Sequence, residues 1–316
     1  MKNIEDYVEQ VNLIPNFPNL KNIFSNITIG YGKEFLYQKG LGTRNFILLM
    51  ILFSYFYTEE EAYNLICVKE PESHLCVNKF NVLLDFISKS IKTKNSLTQV
   101  LLTSHNPKII NKLRLENIVV IKSDRVVNFS GVDGKLTNYL SKRPNFDTLK
   151  LLFSKKLILV EGPTEEMFIN AELDRRGDLV SEVEVLSVGH KGFRTYLDIW
   201  LILNKGNENV KIGVIRDFDD QVNAKNNHDA YDKEHNNIMV RTTEGYTFED
   251  DLVSSSDNAQ ILGKLFGIDS DNDSLSKFMK EQKATNMLDI SLKLTKDELK
   301  LVMPKHIDEV LKWMLE

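Results

Sequence analysis

Two stretches of the chain run from apolar residues straight into carboxylates. LILVEGPTEE (157–166) places Glu161, Glu165 and Glu166 behind four apolar residues, and KIGVIRDFDD (211–220) ends a similar run with Asp217, Asp219 and Asp220. Like charges about 4 Å apart repel by about 1 kcal/mol in water and by about 4 kcal/mol at an effective dielectric near 20. Such crowding calls for a compensating cation or for side chains that diverge. Carboxylates that converge through folding suit a hard cation such as Mg²⁺, held by oxygens and waters. Two such ions can clamp a phosphodiester, activating water on one side and stabilising the leaving oxygen on the other.

The elements that must position these groups can be read locally. Gly162 permits a tight strand-to-helix turn and Pro163 suits the first helical turn. Glu161 therefore stands at the carboxyl end of a strand, where open parallel sheets bind their ligands. Glu165 and Glu166 fall in the first helical turn, which favours negative charge; Glu166 needs no further role, while Glu165 is a candidate ligand or helper. Asp217 and Asp219 end another strand, beside Glu161 if the two strands are neighbours. TFEDDL (247–252) adds Glu249, Asp250 and Asp251. Lys191, in SVGHKGF (187–193), is a candidate cation for the reacting phosphate, against the plain alternative of a solvated loop lysine. DSDNDS (269–274) is richer in aspartate but follows no strand. Ser274 and Lys280 stand where a calcium loop needs Gly and Glu, so it reads as a helix cap.

Around these motifs, apolar runs and polar breaks alternate in the manner of an α/β protein with a largely parallel sheet. In the first half the pattern predicts helices over 43–57, 74–89 and 106–113, and strands over 64–68, 98–103, 117–122 and 125–129. The opening, with Pro15 and Pro18, reads as irregular. In the second half it predicts strands over 156–160, 183–186, 210–215 and 238–241, helices over 163–175 and 192–203, and helices through the last 60 residues. Polar segments at 130–135 and 141–147 put a boundary near residue 150.

The 316 residues are enough for two domains. Residues 1–150 carry 19 Lys+Arg against 14 Asp+Glu and residues 151–316 carry 21 against 31, so the charge passes from +5 to −10. An acidic second half argues against simple electrostatic binding of nucleic acid there unless cations occupy the carboxylates. Two cysteines, Cys67 and Cys76, exclude a disulfide framework and an ordinary zinc module and fit a reducing cytoplasm. The N-terminal segment, MKNIEDYVEQ, has acids where an export signal would be basic and then apolar. The apolar run FILLMILFSYFY (46–57) is too short to span a bilayer and is expected to be a buried core helix.

The EG pair at Glu161, the D-x-D at Asp217 and Asp219 behind an apolar strand, and their order resemble the Toprim domain of topoisomerases, primases and nucleases, over roughly residues 155–255. VEGPTE (160–165), G-x-K ending at Lys191, and TFEDDL resemble more narrowly the OLD (overcoming lysogenization defect) family of nucleases, in which an ATPase domain precedes Toprim. That resemblance implies a Rossmann-like Toprim fold over 151–255, a C-terminal helical extension over 256–316 and a metal-dependent DNA endonuclease using two Mg²⁺ or Mn²⁺ ions. It implies that Glu161, Glu165, Asp217, Asp219, Glu249 and Asp251 are metal ligands or their immediate supports, and that Lys191 faces phosphate. His190 receives no role.

The resemblance demands an ABC-type ATPase upstream, and residues 1–150 hold parts of one. LICVKEPESHL (65–75) is similar to a Walker B strand with its acidic pair and D-loop, LLTSHNP (101–107) to a switch-histidine loop, and GLGTRNFI (40–47) to a degenerate signature motif. Glu70 and His105 would be the nucleotide-facing remnants, with Glu72 beside them. No G-x-x-x-x-G-K-[ST] is present: Gly32-Lys33 is followed by Glu34 and has no upstream glycine. Without that loop there is no backbone cradle or lysine for the phosphates. Lys69 occupies the place of the metal-holding Walker B acid, where it would repel Mg²⁺, so the chain alone is not expected to hydrolyse ATP. Lys69 favours decay of the ATPase over simple loss of its first half.

Two functions remain open: a Toprim nuclease acting in anti-phage defence, or a non-catalytic assembly module in which both folds are inert. The family implies self-association through the ATPase-like block and a partner such as a helicase, a reverse transcriptase or a structured RNA, with no membrane. A primase or a recombination mediator would bring a cysteine-rich zinc motif, which two cysteines cannot supply. A topoisomerase would need a further domain presenting a nucleophilic tyrosine.

Overall fold

A computed structural model of the chain describes residues 9–15, 27–58, 63–91, 97–106, 108–109, 117–122, 126–129, 134, 148–177, 182–189, 192–268 and 271–316. The chain divides into two compact units, Met1–Ile118 and Val119–Glu316.

In the first unit, strands β1 (Val11–Pro15), β2 (Ile27–Tyr31) and β3 (Glu34–Phe35) form an antiparallel sheet in what the sequence suggested was an irregular opening. Helix α1 (Leu41–Thr58) follows, and then β4 (Asn64–Lys69), α2 (Val77–Ile91) and β5 (Thr98–Thr103), with β4 and β5 paired in parallel. The apolar run inside α1 buries only one face. Phe46, Ile47, Met50 and Phe53 are wholly enclosed with Leu83 and Ile87 of α2, while Leu48, Ile51, Leu52 and Tyr55 are exposed. Helix α2 begins at Val77, not His74, because Glu70 and His74 take positive φ (46° and 64°) and keep the chain turning first. Of the helix expected over 106–113, residues 106 and 108–109 are described, and 108–109 are helical.

The second unit opens with the hairpin β6 (Val119–Ile121) and β7 (Val126–Asn128) and the short helix α3 (Thr148–Phe153). Its centre is a four-stranded sheet of β8 (Lys156–Val160), β9 (Val183–Ser187), β10 (Lys211–Arg216) and β11 (Ile238–Thr242). The order is β11-β10-β8-β9 and every pair is parallel. Strands buried on both faces read as continuous apolar runs: Leu157 to Val160 are each fully buried. Helices α4 (Pro163–Arg176), α5 (Phe193–Leu203) and α6 (Val222–Glu234) make the crossovers. The chain closes with α7 (Phe248–Ser254), α8 (Asn258–Phe266), α9 (Asn272–Glu281), α10 (Lys283–Thr295) and α11 (Lys305–Leu315).

The C-terminal helices belong to the core of this unit. Met287, Ile290 and Leu294 of α10 and Ile307, Val310 and Met314 of α11 share one cluster with Ile158, Val160, Phe168 and Ile215. Gly213 lets α11 approach β10, since a Cβ there would lie 2.6 Å from Val310 Cγ1. Among the described residues no helix is long and apolar enough to cross a membrane.

Candidate metal centre

Because β10 lies directly beside β8, the two acidic strand ends meet. Their register pairs Val214 with Leu159, so two residues further on Glu161 comes level with Arg216 and next to Asp217. The Asp217 amide points at Glu161 Oε2, 3.4 Å away. On the far side of β8, Gly189 N donates to the Glu161 carbonyl at 2.8 Å, tying the β9 loop to the same strand end.

Two further elements bring their acids to this point. Phe168 of α4 packs against Phe248 of α7, with ring centroids 5.2 Å apart. Glu165, on the first turn of α4, and Glu249, on the first turn of α7, both act by charge on Asp217. Glu165 is buried, and its Oε2 accepts from Gly162 N (2.9 Å) and Thr164 Oγ1 (3.2 Å), the reach-back half of a capping box whose glycine N-cap offers no side chain. Asp217 is buried too, with Oδ1 accepting from Phe248 N at 2.8 Å. Burial, followed by the charges of Glu165, Glu161 and Glu249, pushes its carboxyl up to about 8, with Lys283 opposing. The neighbouring acids thus add to what burial already does to Asp217.

Asp219 is held by its backbone, with N donating to Tyr246 O at 3.1 Å. Asp219 and Asp220 adopt positive φ in succession (48° and 54°), a conformation that costs energy outside glycine and is concentrated at functional sites. Glu249 is 1 % exposed, and its Oε2 has no hydrogen-bond partner among the described residues. Its compensation is an ion pair: the Lys283 ammonium, from the start of α10, stands 3.1 Å from Oε1.

The other acids of the same segment face donors. Asp251 accepts from Gly245 N (2.6 Å) and Glu244 N (2.9 Å), and its Oδ2 lies 2.9 Å from Nδ1 of the buried His306. Burial raises its carboxyl, but His306 and these amides outweigh it and hold the group low. Asp250 accepts from Thr247 N (3.0 Å), Lys280 (2.6 Å) and Ser276, which pins α9 to α7. Glu166 sits on the first turn of α4, partly exposed. His190 and Lys191 lie outside the described residues.

Two cations escaped the sequence reading. Lys283 is the first residue of α10, an end at which a positive charge is disfavoured by the helix dipole, and that oddity was its one signal. Arg216, the last residue of β10, is 5 % exposed, and the charges acting on it most strongly are those of Glu161 and Asp219. A guanidinium ending a buried strand was its signal.

In the first unit Glu70 stands just beyond β4, its amide bonded to Thr103 O at 2.8 Å. Glu72 Oε1 accepts from Ser104 Oγ (2.5 Å) and His105 N (3.1 Å), clasping the loop after β5. The His105 side chain is exposed.

A parallel Rossmann-like sheet with paired acids at the carboxyl ends of adjacent strands defines a Toprim domain, and family comparison agrees. Residues 152–219 match the model of the Toprim domain of overcoming-lysogenization-defect-like proteins, and residues 2–110 match an AAA ATPase domain. The chain has the domain order of an OLD-family nuclease, an ATPase domain followed by an OLD-like Toprim domain. A comparison with curated proteins finds no match. Toprim domains use divalent metal ions, and this order supports a nuclease-type function.

Proposed function

We propose that the chain is a metal-dependent endonuclease that hydrolyses phosphodiesters of DNA, with residues 151–255 as the nuclease domain, 256–316 as a helical extension and 1–150 as an ATPase-like block used for assembly or regulation. The observation that carries this reading is Asp217. A carboxyl enclosed by Glu161, Glu165 and Glu249 and pushed to about 8 is a poor structural choice, and a divalent cation would relieve it. Glu249, buried with Oε1 on Lys283 and Oε2 without a hydrogen-bond partner among the described residues, fits the same purpose.

On this reading Glu161, Asp217, Asp219 and Glu249 hold the ions, Mg²⁺ or Mn²⁺, while Glu165 and Asp251 hold the loops that carry them. Bound ions would supply an activated water and stabilise the leaving oxygen. Glu165 fixes the turn after β8, Asp251 and His306 fix the turn before α7, and Lys283 holds its ammonium beside Glu249. Lys191 remains a candidate phosphate-facing group. Glu70 and His105 are remnants of nucleotide binding, and ATP is not hydrolysed by this chain alone. Defence against phage, self-association through the first block and a helicase, reverse transcriptase or structured-RNA partner are part of this proposal, and the domain order is consistent with them. The test is cleavage of plasmid DNA, and of RNA in parallel, with Mg²⁺ or Mn²⁺. Asp217→Ala and Glu161→Ala should each abolish cutting, and cutting retained by either sinks the site.

A second reading, an inert assembly module, draws on one observation. Among the described residues no three His, Cys, Asp or Glu side chains stand arranged to hold an ion. The two readings part on a thermal melt. Binding to the native state alone raises the melting temperature, so no shift across millimolar Mn²⁺ would favour the module.

A further inference from the structure

Neighbouring residues of a strand point to opposite faces of the sheet. Gly213 and Ile215 face α11 and its cluster, so Arg216 points the other way, beneath α5 and α6. On that face it meets His228 of α6, whose ring lies edge-on to Phe193 at the start of α5, 5.8 Å between centroids. Arg216 is 5 % exposed and its Nη1 is buried without a hydrogen-bond partner among the described residues. A guanidinium has five donors and does not lose its charge in proteins, and leaving such a donor unpaired in the interior is costly.

Burial is the larger effect on Arg216 and pulls its guanidinium below the ordinary value, and charge acting through space offsets part of that cost. Glu161 comes level with Arg216 across the β8–β10 register, and Asp219, Asp229 and Asp217 follow in the strength of their effect. Lys283 serves Glu249 and, at longer range, Asp217 and Glu165 from the α10 side. The acids of the site are therefore shared between two built-in cations, one on each face of the sheet.

We propose that Arg216 is a positioning residue, a permanent cation built beneath the strand end that keeps Glu161 and Asp219 in place in the metal-free protein and, by like-charge repulsion, sets how tightly the carboxylates take a divalent ion. The second half of this proposal rests on the metal-dependent reading above; the first half does not.

The experiment is a double-mutant cycle on the full chain, Arg216→Gln, Glu161→Gln and the pair, melted without metal, followed by Mn²⁺ titration of wild type, Arg216→Gln and Arg216→Lys by calorimetry. Arg216→Gln should melt several degrees lower without metal, and adding Glu161→Gln should restore most of that loss, because the uncompensated acid is gone. Arg216→Gln should bind Mn²⁺ about tenfold more tightly than wild type. Arg216→Lys, which keeps the charge without the planar fork, should match wild-type affinity within about threefold. An additive cycle overturns the counter-ion role, and an unchanged or weaker Mn²⁺ affinity in Arg216→Gln overturns the tuning role. Should Arg216→Gln not fold alone, folding of the double variant supports the proposal and its failure to fold overturns it; Arg216→Lys still reports on affinity. Wild type that takes up no Mn²⁺ would defeat the metal reading and the tuning with it, while the metal-free cycle decides the counter-ion role independently.

Discussion

Each unit of the molecule ends parallel strands in acidic residues, and the two strand ends use those acids in opposite ways. Beyond β4 and β5, Glu72 meets donors, Ser104 Oγ and His105 N, and works as a clasp between two loops. Beyond β8 and β10, Asp217 meets Glu161, Glu165 and Glu249, and the acids face one another. In the first arrangement Glu72 Oε1 is bonded twice, while Glu72 Oε2 has no hydrogen-bond partner among the described residues. The second faces Lys283 and Arg216 and, on the proposed reading, would take a further cation. A carboxylate at the end of a parallel strand is thus no sign of function until one knows what it faces.

The largest effect that would break this contrast is loss of chemistry. Replacing Asp217 or Glu161 by Ala should lower metal-dependent cutting by at least about 10³-fold, as expected when a group that stabilises the reacting phosphate is removed. Glu72→Ala should leave cutting within about threefold of wild type, because a clasp in the first unit touches no reacting atom. A reversed ranking in a plasmid-nicking assay would show that the acids have been sorted wrongly.

A second contrast lies in pH. Asp217 has its carboxyl raised to about 8 in the folded chain, above its ordinary value of 3.8. The folded state therefore holds a proton that the unfolded state releases between those values. Stability from this group is full below about pH 4 and declines as pH rises toward 8. Asp217→Asn removes the decline, so without metal the variant should melt higher than wild type at pH 8 and alike at pH 4. In wild type, Mn²⁺ must displace that proton, so its stabilising effect should grow from pH 6 to pH 8. A flat profile from differential scanning calorimetry would mean that Asp217 is ionised without help.

How much of this was legible in the sequence differs between the two units for a physical reason. The four strands of the second sheet were readable because burial on both faces leaves uninterrupted apolar runs, and the order of motifs placed Glu161 and Asp217 at strand ends. Their adjacency depended on a strand order that only the fold supplies. Helix α6 left no trace because none of its residues is buried, and it is held by polar bonds such as Tyr231 to Asp198 (2.5 Å) and Arg241 to Asp232 (2.6 Å). Arg216 and Lys283 were passed over because a lone cation has no period. In the first unit, Gly42 was read as part of a signature motif, and the structure gives it a packing reason: a Cβ there would run into the His74 carbonyl oxygen.

Lys283 sharpens the comparison further. Replacing it by Met leaves Glu249 buried with no compensating charge, a change of the kind that costs about 3–5 kcal/mol when a buried pair is broken. Lys283 is itself 41 % exposed, so solvent screening places the expected loss below that range, at about 1–2 kcal/mol. Mn²⁺ should recover most of it if the ion takes over the compensation of Glu249. Recovery by Mn²⁺ but not by an equal ionic strength of NaCl, followed by thermal melting, is the result expected; equal recovery by both would make Lys283 a general surface charge.

The smallest effect belongs to the clasp itself. Glu72→Ala removes two hydrogen bonds, from Ser104 Oγ and His105 N, at a partly exposed site, so water can replace part of what is lost. Net losses of about 0.5–1.5 kcal/mol per bond set the expectation at about 1–2 kcal/mol, confined to the first unit. Glu72→Gln keeps an acceptor and should fall nearer wild type. Hydrogen exchange at the 104–106 amides, read alongside unchanged exchange at β8 and β10, would show that the first unit's acids hold a loop and nothing more. Faster exchange at both strand ends would instead reveal that the two units share one cooperative transition.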